Sequence, residues 1–164
     1  MKSNKRDLTH IEYMETVQDL IDDISNESIE EIKEEIYVLY KQEVFTKQLY
    51  LSQLRKFDGT VLTIISYLSQ QEEMHANAMK ILLNKINYSI EEEHDLLDQT
   101  KKRLTMLDSL VLDIHQEEVA QKEYETAINN SSSEPMKKVL TLLLEQEYEH
   151  LRRLNDYVEN KKNK

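Results

Sequence analysis

The sequence predicts an all-α protein: a four-helix bundle built from two duplicated helical hairpins, with an extra amphipathic helix ahead of it. Three observations predict this. A chain of 164 residues with one Gly and one Pro has little turn chemistry, while good helix formers such as Leu, Glu and Lys are abundant. Apolar residues recur at threes and fours along most of the chain, and no alternating strand pattern appears. Finally, the chain repeats itself. Gln42-Glu43-x-x-Thr46-x-x-x-Tyr50 returns as Gln116-Glu117-x-x-Ala120-x-x-x-Tyr124, and Gln71-Glu72-x-x-His75 returns as Gln146-Glu147-x-x-His150. Glu43 to Glu117 is 74 positions and Glu72 to Glu147 is 75, as expected of one hairpin used twice.

Taken in order, Leu8, Ile11, Met14, Val17, Leu20, Ile21 and Ile24 form one apolar stripe, so residues from about 8 to 24 read as an amphipathic helix outside the repeat. Packing on the core is its expected use, ahead of pairing with another subunit or docking a partner. The expected division is a helical extension over 1–27 and the bundle over 28–164. Ser28 with Glu31 reads as a capping box opening a helix to about Phe57, with Ile29, Ile32, Ile36, Leu39, Glu43, Thr46, Tyr50 and Leu54 inward. Asp58-Gly59 is the strong turn signal. From Thr60 a second helix sets Leu62, Ile65, Leu68, Glu72, His75, Met79, Leu82 and Ile86 on one face. Glu43 and Glu72 then stand about 20 Å from the turn at 1.5 Å per residue, level across the hairpin.

Asn87 to about Asp108 joins the halves. Ser89 and Glu92 can cap a short helix there, and either Thr105 or Asp108 can open the next long one. That third helix is expected to turn Leu107, Val111, Ile114, Glu117, Ala120, Tyr124 and Ala127 inward until Asn129-Asn130-Ser131-Ser132-Ser133 ends it. Pro135 suits the first turn of the fourth, which faces Val139, Leu143, Glu147, His150, Leu154 and Tyr157 or Val158 to the core. The tail from about Asn160 is expected to fray.

A glutamate and a histidine three apart on a helix share a face, so each Glu-x-x-His can direct one oxygen and one nitrogen to a common point. Glu91 and His94 make a third such pair but lack the upstream Gln-Glu element, and Glu91-Glu92-Glu93 reads as a solvated charge run. His10, His94 and His115 read as surface histidines, His115 lying on the wrong face for the same centre as Glu117. Surface carboxylates are the rule for a single glutamate on a helix. Four of them at matched heights on apolar faces are different, because ionised carboxylates buried together repel and lack solvation unless cations neutralise them. Glu43, Glu72, His75, Glu117, Glu147 and His150 are therefore the candidate metal ligands. Ligation this rich in carboxylate, with only two nitrogens, suits iron or manganese better than copper or zinc.

Composition narrows the alternatives. A net charge of −11 argues against a nucleic-acid partner and offers no broad basic face to anionic lipid. With no cysteine there are no disulfides, no thiolate chemistry and no iron–sulfur centre. The charged first residues and the want of a long uncharged stretch lead us to expect neither a secretory signal nor a membrane segment, and to expect a cytoplasmic protein.

From about residue 28 to 158 these motifs resemble the ferritin-like di-iron carboxylate superfamily, and within it the rubrerythrin-like branch. Such bundles take one Glu from each of two helices and a Glu-x-x-His from each of the others. The resemblance implies two Fe ions, with Glu43 and Glu117 as terminal carboxylates, Glu72 and Glu147 bridging, and His75 and His150 each capping one ion. It implies that Tyr50 and Tyr124 hydrogen-bond metal-bound carboxylates and steady them. It also implies a long crossover making the second and third helices parallel, O2 or H2O2 as oxidant, and a homo-oligomer, at least a dimer. Rubrerythrins proper carry a further glutamate where this chain has Ala120, and a cysteine-rich rubredoxin module that this chain lacks, so electrons would come from Fe(II) or a separate donor. Three functions follow as expectations: Fe(II) oxidation with O2 or H2O2, iron storage as a shell subunit, or a helical interaction module with a structural metal.

Overall fold

A computed structural model describes residues 10–91 and 105–163, with the side chains of His10, Ile11 and Met14 excepted. Among the described residues every regular element is helical: α1 (His10–Asp22), α2 (Asn26–Glu31), α3 (Lys33–Gln53), α4 (Gly59–Lys85), α5 (Met106–Asn130) and α6 (Glu134–Lys162). Leu8, Glu92, Glu93 and His94, and with them most of the expected crossover, lie outside the described residues. No described helix is long and apolar enough to cross a membrane.

α1 buries Tyr13, Val17 and Ile21 in the main core, joined just beyond its end by Ile24. The Lys85 ammonium closes that end by donating to the carbonyls of Ile21 at 2.9 Å and Ile24 at 2.7 Å, a cation where the helix dipole is negative. The expected capping box is not where the next helix starts. Ser25 caps α2 by accepting from the Ser28 amide, and Glu31 is taken up by the amide and hydroxyl of Ser132, both at 2.6 Å. Nor is the expected helix continuous. Ile32, at φ −126°, breaks it between α2 and α3, and across this step Ile29, Ile32 and Ile36 are all fully buried.

The α3–α4 connection turns on Gly59, whose φ of +58° lies in the left-handed region that glycine adopts without strain. Across the molecule Asn130 bonds Glu35, Tyr124 bonds Glu43, Tyr50 bonds Glu117 and Gln53 bonds Asp113. Numbers rise along α3 as they fall along α5, so these two helices are antiparallel. Because α3 also packs antiparallel to α4 through a short turn, α4 and α5 run in the same direction.

α5 corrects the expected face. Leu107 and Val111 are exposed, at 43% and 55%, and the buried positions of that stretch are Ser109, Leu110 and Asp113. The stripe that runs back from Glu117 in steps of four and three passes through Asp113 and Leu110, and a neighbouring position is turned about 100° away. At the start of α5, Thr105 rather than Asp108 is the cap, its hydroxyl accepting from the Asp108 amide. Ser133 caps α6 with Pro135 in the first turn, as its composition leads one to expect. The C-terminal stretch departs from expectation: α6 stays helical through Lys162, where Lys161 and Lys162 complement the dipole.

Two apolar clusters result. The larger joins α1 and α2 to Leu39, Met79, Tyr124 and Leu143. The smaller, around Tyr50, Ile65, Leu68, Leu110 and Leu154, lies toward the α3–α4 turn. At that end the buried Asp113 carboxylate accepts from Gln53 at 2.7 Å. Burial pushes its pKa up to about 7, and the Gln53 bond opposes that only in part. A carboxyl bound more tightly to its proton when folded destabilises the fold as pH rises through the folded value. Replacing Asp113→Asn is therefore expected to raise stability at pH 8 by about 1–4 kcal/mol and to change it little at pH 4, as read from urea unfolding at the two pH values.

Candidate metal centre

All six sequence-predicted ligands arrive at one place between the two apolar clusters, and each is at most 1% exposed. α3 brings Glu43, α4 Glu72 and His75, α5 Glu117, and α6 Glu147 and His150. Helical spacing of three sets each Glu-x-x-His on one face, and the packing of four helices closes the set. The atoms form two overlapping groups, Glu43, Glu72, His75 and Glu147 in one and Glu72, Glu117, Glu147 and His150 in the other, with one ligand atom per residue lying within 4.8 Å of the rest. Glu72 and Glu147 belong to both. Each group can hold a metal ion.

Distances within the groups suit a shared ion. His75 Nδ1 stands 2.6 Å from Glu147 Oε1, 3.7 Å from Glu72 Oε2 and 3.8 Å from Glu43 Oε2. His150 Nδ1 stands 3.0 Å from Glu72 Oε1, 3.4 Å from Glu117 Oε2 and 3.7 Å from Glu147 Oε2. Donor atoms each about 2.1 Å from one ion sit about 3 Å apart at right angles and farther when more widely opened. The same atoms are orphans as hydrogen-bond partners. Both oxygens of Glu72 and of Glu147, one each of Glu43 and Glu117, and Nδ1 of both histidines are buried and face only one another, with no hydrogen-bond partner outside the cluster among the described residues. Buried polar groups are nearly always paired, so a cluster of orphans that faces one small volume calls for a cation.

Of the remaining atoms, His150 Nε2 has no hydrogen-bond partner among the described residues, and the others are held from outside. Tyr124 donates to Glu43 Oε1 at 2.5 Å and Tyr50 donates to Glu117 Oε1, so each tyrosine serves the carboxylate of the opposite hairpin. His75 Nε2 donates to Gln146 Oε1 at 2.6 Å, which turns Nδ1 toward the carboxylates. The two rings are stacked, with centroids 5.5 Å apart. Gln42 and Gln116, one before each of the paired glutamates, bond each other at 3.1 Å. Thr46 keeps its hydroxyl on the Gln42 carbonyl, opposite the small Ala120.

Protons stand in for cations in this arrangement. Burial, then the neighbouring Glu147, push the Glu72 carboxyl well up and bring Glu117 up to about 8, though His150 pulls Glu117 the other way. Burial also works against charge on Glu147 and both histidines, and there ion pairing wins. His75 and His150 hold Glu147 well below the usual carboxylate range, while Glu147 and Glu43 raise His75, and Glu117 and Glu147 raise His150. Burial and the adjacent carboxylates keep the phenols of Tyr50 and Tyr124 protonated, Tyr50 against Glu117 and Tyr124 against Glu43.

Of the other histidines, His115 is exposed as expected, and His94 and the side chain of His10 lie outside the described residues. Sequence reasoning gave no role to Gln146, although Gln precedes Glu in both copies of the motif. It also missed Asp113, which the 110–113–117 spacing could have revealed, and Tyr13, which has no counterpart in the repeat. Compared with known proteins, the chain matches no family model and no curated protein.

Metal should therefore compete with protons. Divalent metal bound here is expected to displace protons at pH 7, with Glu117, pushed up to about 8, among their sources, a release that calorimetry in buffers of different ionisation enthalpy measures. Because Glu117 moves from an ordinary 4.5 to about 8 on folding, the metal-free protein binds the proton more tightly when folded. It is expected to lose stability as pH climbs through that window, and bound metal to restore it most at the upper end. Thermal melts with chelator or with metal across pH 5–8 check the sign.

Proposed function

We propose that the chain is a ferritin-like di-iron carboxylate protein, rubrerythrin-like, that oxidises Fe(II) with O2 or H2O2. The observation that carries this reading is the pair of ligand groups sharing Glu72 and Glu147, each completed by one further glutamate and one histidine. Parallel α4 and α5, joined by a connection long enough to cross the molecule, support the ferritin-like arrangement of the four long helices. Manganese would fit the same oxygen-rich donor set, and the balance of four carboxylates to two imidazoles is what favours either over zinc or copper.

Two ions held side by side can each give one electron to one oxidant molecule. With peroxide, two Fe(II), one H2O2 and two protons yield two Fe(III) and two water molecules. With dioxygen, two Fe(II), one O2 and two protons yield two Fe(III) and one H2O2. The chain's own part is to assemble and neutralise. Six ligands on two ions leave positions open to an oxidant, the reciprocal tyrosines fix the carboxylates of Glu43 and Glu117, and apolar clusters on both sides keep bulk water out. Donor electrons come from Fe(II) itself, consistent with a chain that has no cysteine. The expected setting is a cytoplasmic homo-oligomer, at least a dimer, acting in iron handling or oxidant removal.

Anaerobic loading with Fe(II), followed by peroxide or air, tests this directly. We expect two ions per chain, a metal-dependent absorbance on oxidation, and oxidant consumption faster than that of free iron at the same concentration. Glu147→Ala removes a carboxylate common to both groups, so it should lower the stoichiometry below two. Two tightly held ions in that variant would contradict the shared-carboxylate reading.

A further inference from the structure

The helix outside the repeat reaches the metal centre. α1 packs against α4 and α6, the two helices that carry the Glu-x-x-His pairs. Its C-terminal end is pinned to α4 by the bonds from Lys85 to the carbonyls of Ile21 and Ile24. Counting back from that anchor, Tyr13 lies eight residues before Ile21, about 12 Å, and His75 ten residues before Lys85, about 15 Å. Tyr13 and His75 thus stand at nearly the same height. Tyr13 is 6% exposed, and its hydroxyl is buried with no hydrogen-bond partner.

Tyr13, Tyr50 and Tyr124 are all buried, and they differ in what their hydroxyls do. Tyr50 and Tyr124 are committed to Glu117 and Glu43. The Tyr13 hydroxyl has no hydrogen-bond partner among the described residues. The phenol also senses the centre: burial first, then Glu147, with Glu43 and Glu145 adding and His150 opposing, drive its pKa far above the ordinary range, so it remains a donor at any physiological pH. A buried donor on a helix packed against both Glu-x-x-His helices, with no acceptor among the described residues, is an arrangement that a ligand completes.

We propose that the Tyr13 hydroxyl binds a small exogenous ligand at the metal centre, of the class of peroxide or a short anion such as azide, by donating a hydrogen bond to it. This rests on the di-metal reading above and makes α1 a working wall of the site. It also assigns the tyrosines different duties: Tyr50 and Tyr124 hold protein ligands, and Tyr13 holds what enters.

The test uses full-length protein loaded with Fe(II), oxidised in air and titrated with azide, with the charge-transfer absorbance giving the affinity. Tyr13→Phe deletes one oxygen and keeps the ring that fills the core. It is expected to retain two irons per chain and the thermal stability of the metal-free protein, and to bind azide about tenfold more weakly, the loss of one hydrogen bond to a charged acceptor. Tyr124→Phe is expected to act instead on iron affinity, through Glu43. Unchanged azide affinity in Tyr13→Phe with both irons in place would overturn the proposal and leave the di-metal reading standing. Loss of iron from Tyr13→Phe, or failure of azide to perturb the iron-loaded parent, would also overturn it. A parent protein that holds no metal at all would sink both, so the two failures are told apart by the iron content of the parent.

Discussion

Everything in this molecule is arranged around the burial of four carboxyl groups and two imidazoles in a space that bulk water does not reach. Ionised groups so placed cost several kcal/mol each unless neutralised. Without metal, the cluster must share protons among Glu72, Glu117 and the two histidines while Glu147 stays charged between the rings. Cations of matching charge remove that conflict, because the orphaned oxygens and nitrogens already face one another at ligand separations. The polar layer also divides the apolar interior in two, and this division shields the layer from both ends.

Duplication explains why the layer closes with so few elements. A hairpin that offers one glutamate from its first helix and a Glu-x-x-His from its second supplies half of a centre. Two copies supply the whole, related by an approximate two-fold that the Gln42–Gln116 bond and the crossed Tyr–Glu pairs both mark. The symmetry is incomplete in an informative way. Gln146 holds His75 by its Nε2, whereas the Nε2 of His150 has no hydrogen-bond partner among the described residues, and the amide of Gln71 approaches the Met74 sulfur at 3.9 Å. The added helix breaks the symmetry too, since α1 covers one side of the site and brings Tyr13 with no mate from the other half. Two ions held here would therefore sit in different surroundings.

The fold serves the layer through means that are local and inexpensive. Ser25, Thr105 and Ser133 cap three helices, Gly59 makes the tight reversal, and Lys85 ties the end of α1 to α4. Individually each contributes about a kcal/mol. Together they hold the heights of the helices, and height is what the ligand set requires, since a one-residue slip turns a side chain about 100° from the centre. The place where sequence reasoning misjudged a face, Leu107 and Val111 on α5, shows how narrow that tolerance is.

What the sequence determined by itself was whatever depends on spacing within one helix or on repetition between two. Helical character, the pairing of Glu72 with His75 and Glu147 with His150 on single faces, and the duplication of Glu43 and Glu117 were all legible, because an α-helix converts sequence distance into angle and height by fixed geometry. Only the tertiary structure decided which groups meet across helices or are buried: the crossing of Tyr50 to Glu117 and Tyr124 to Glu43, the grip of Gln146 on His75, the burial of Asp113 against Gln53, and the burial of Tyr13. Those relations depend on how far each helix is rotated and slid against its neighbours. Rotation and slide are set by the packing of many apolar side chains at once, and no short stretch of sequence records them.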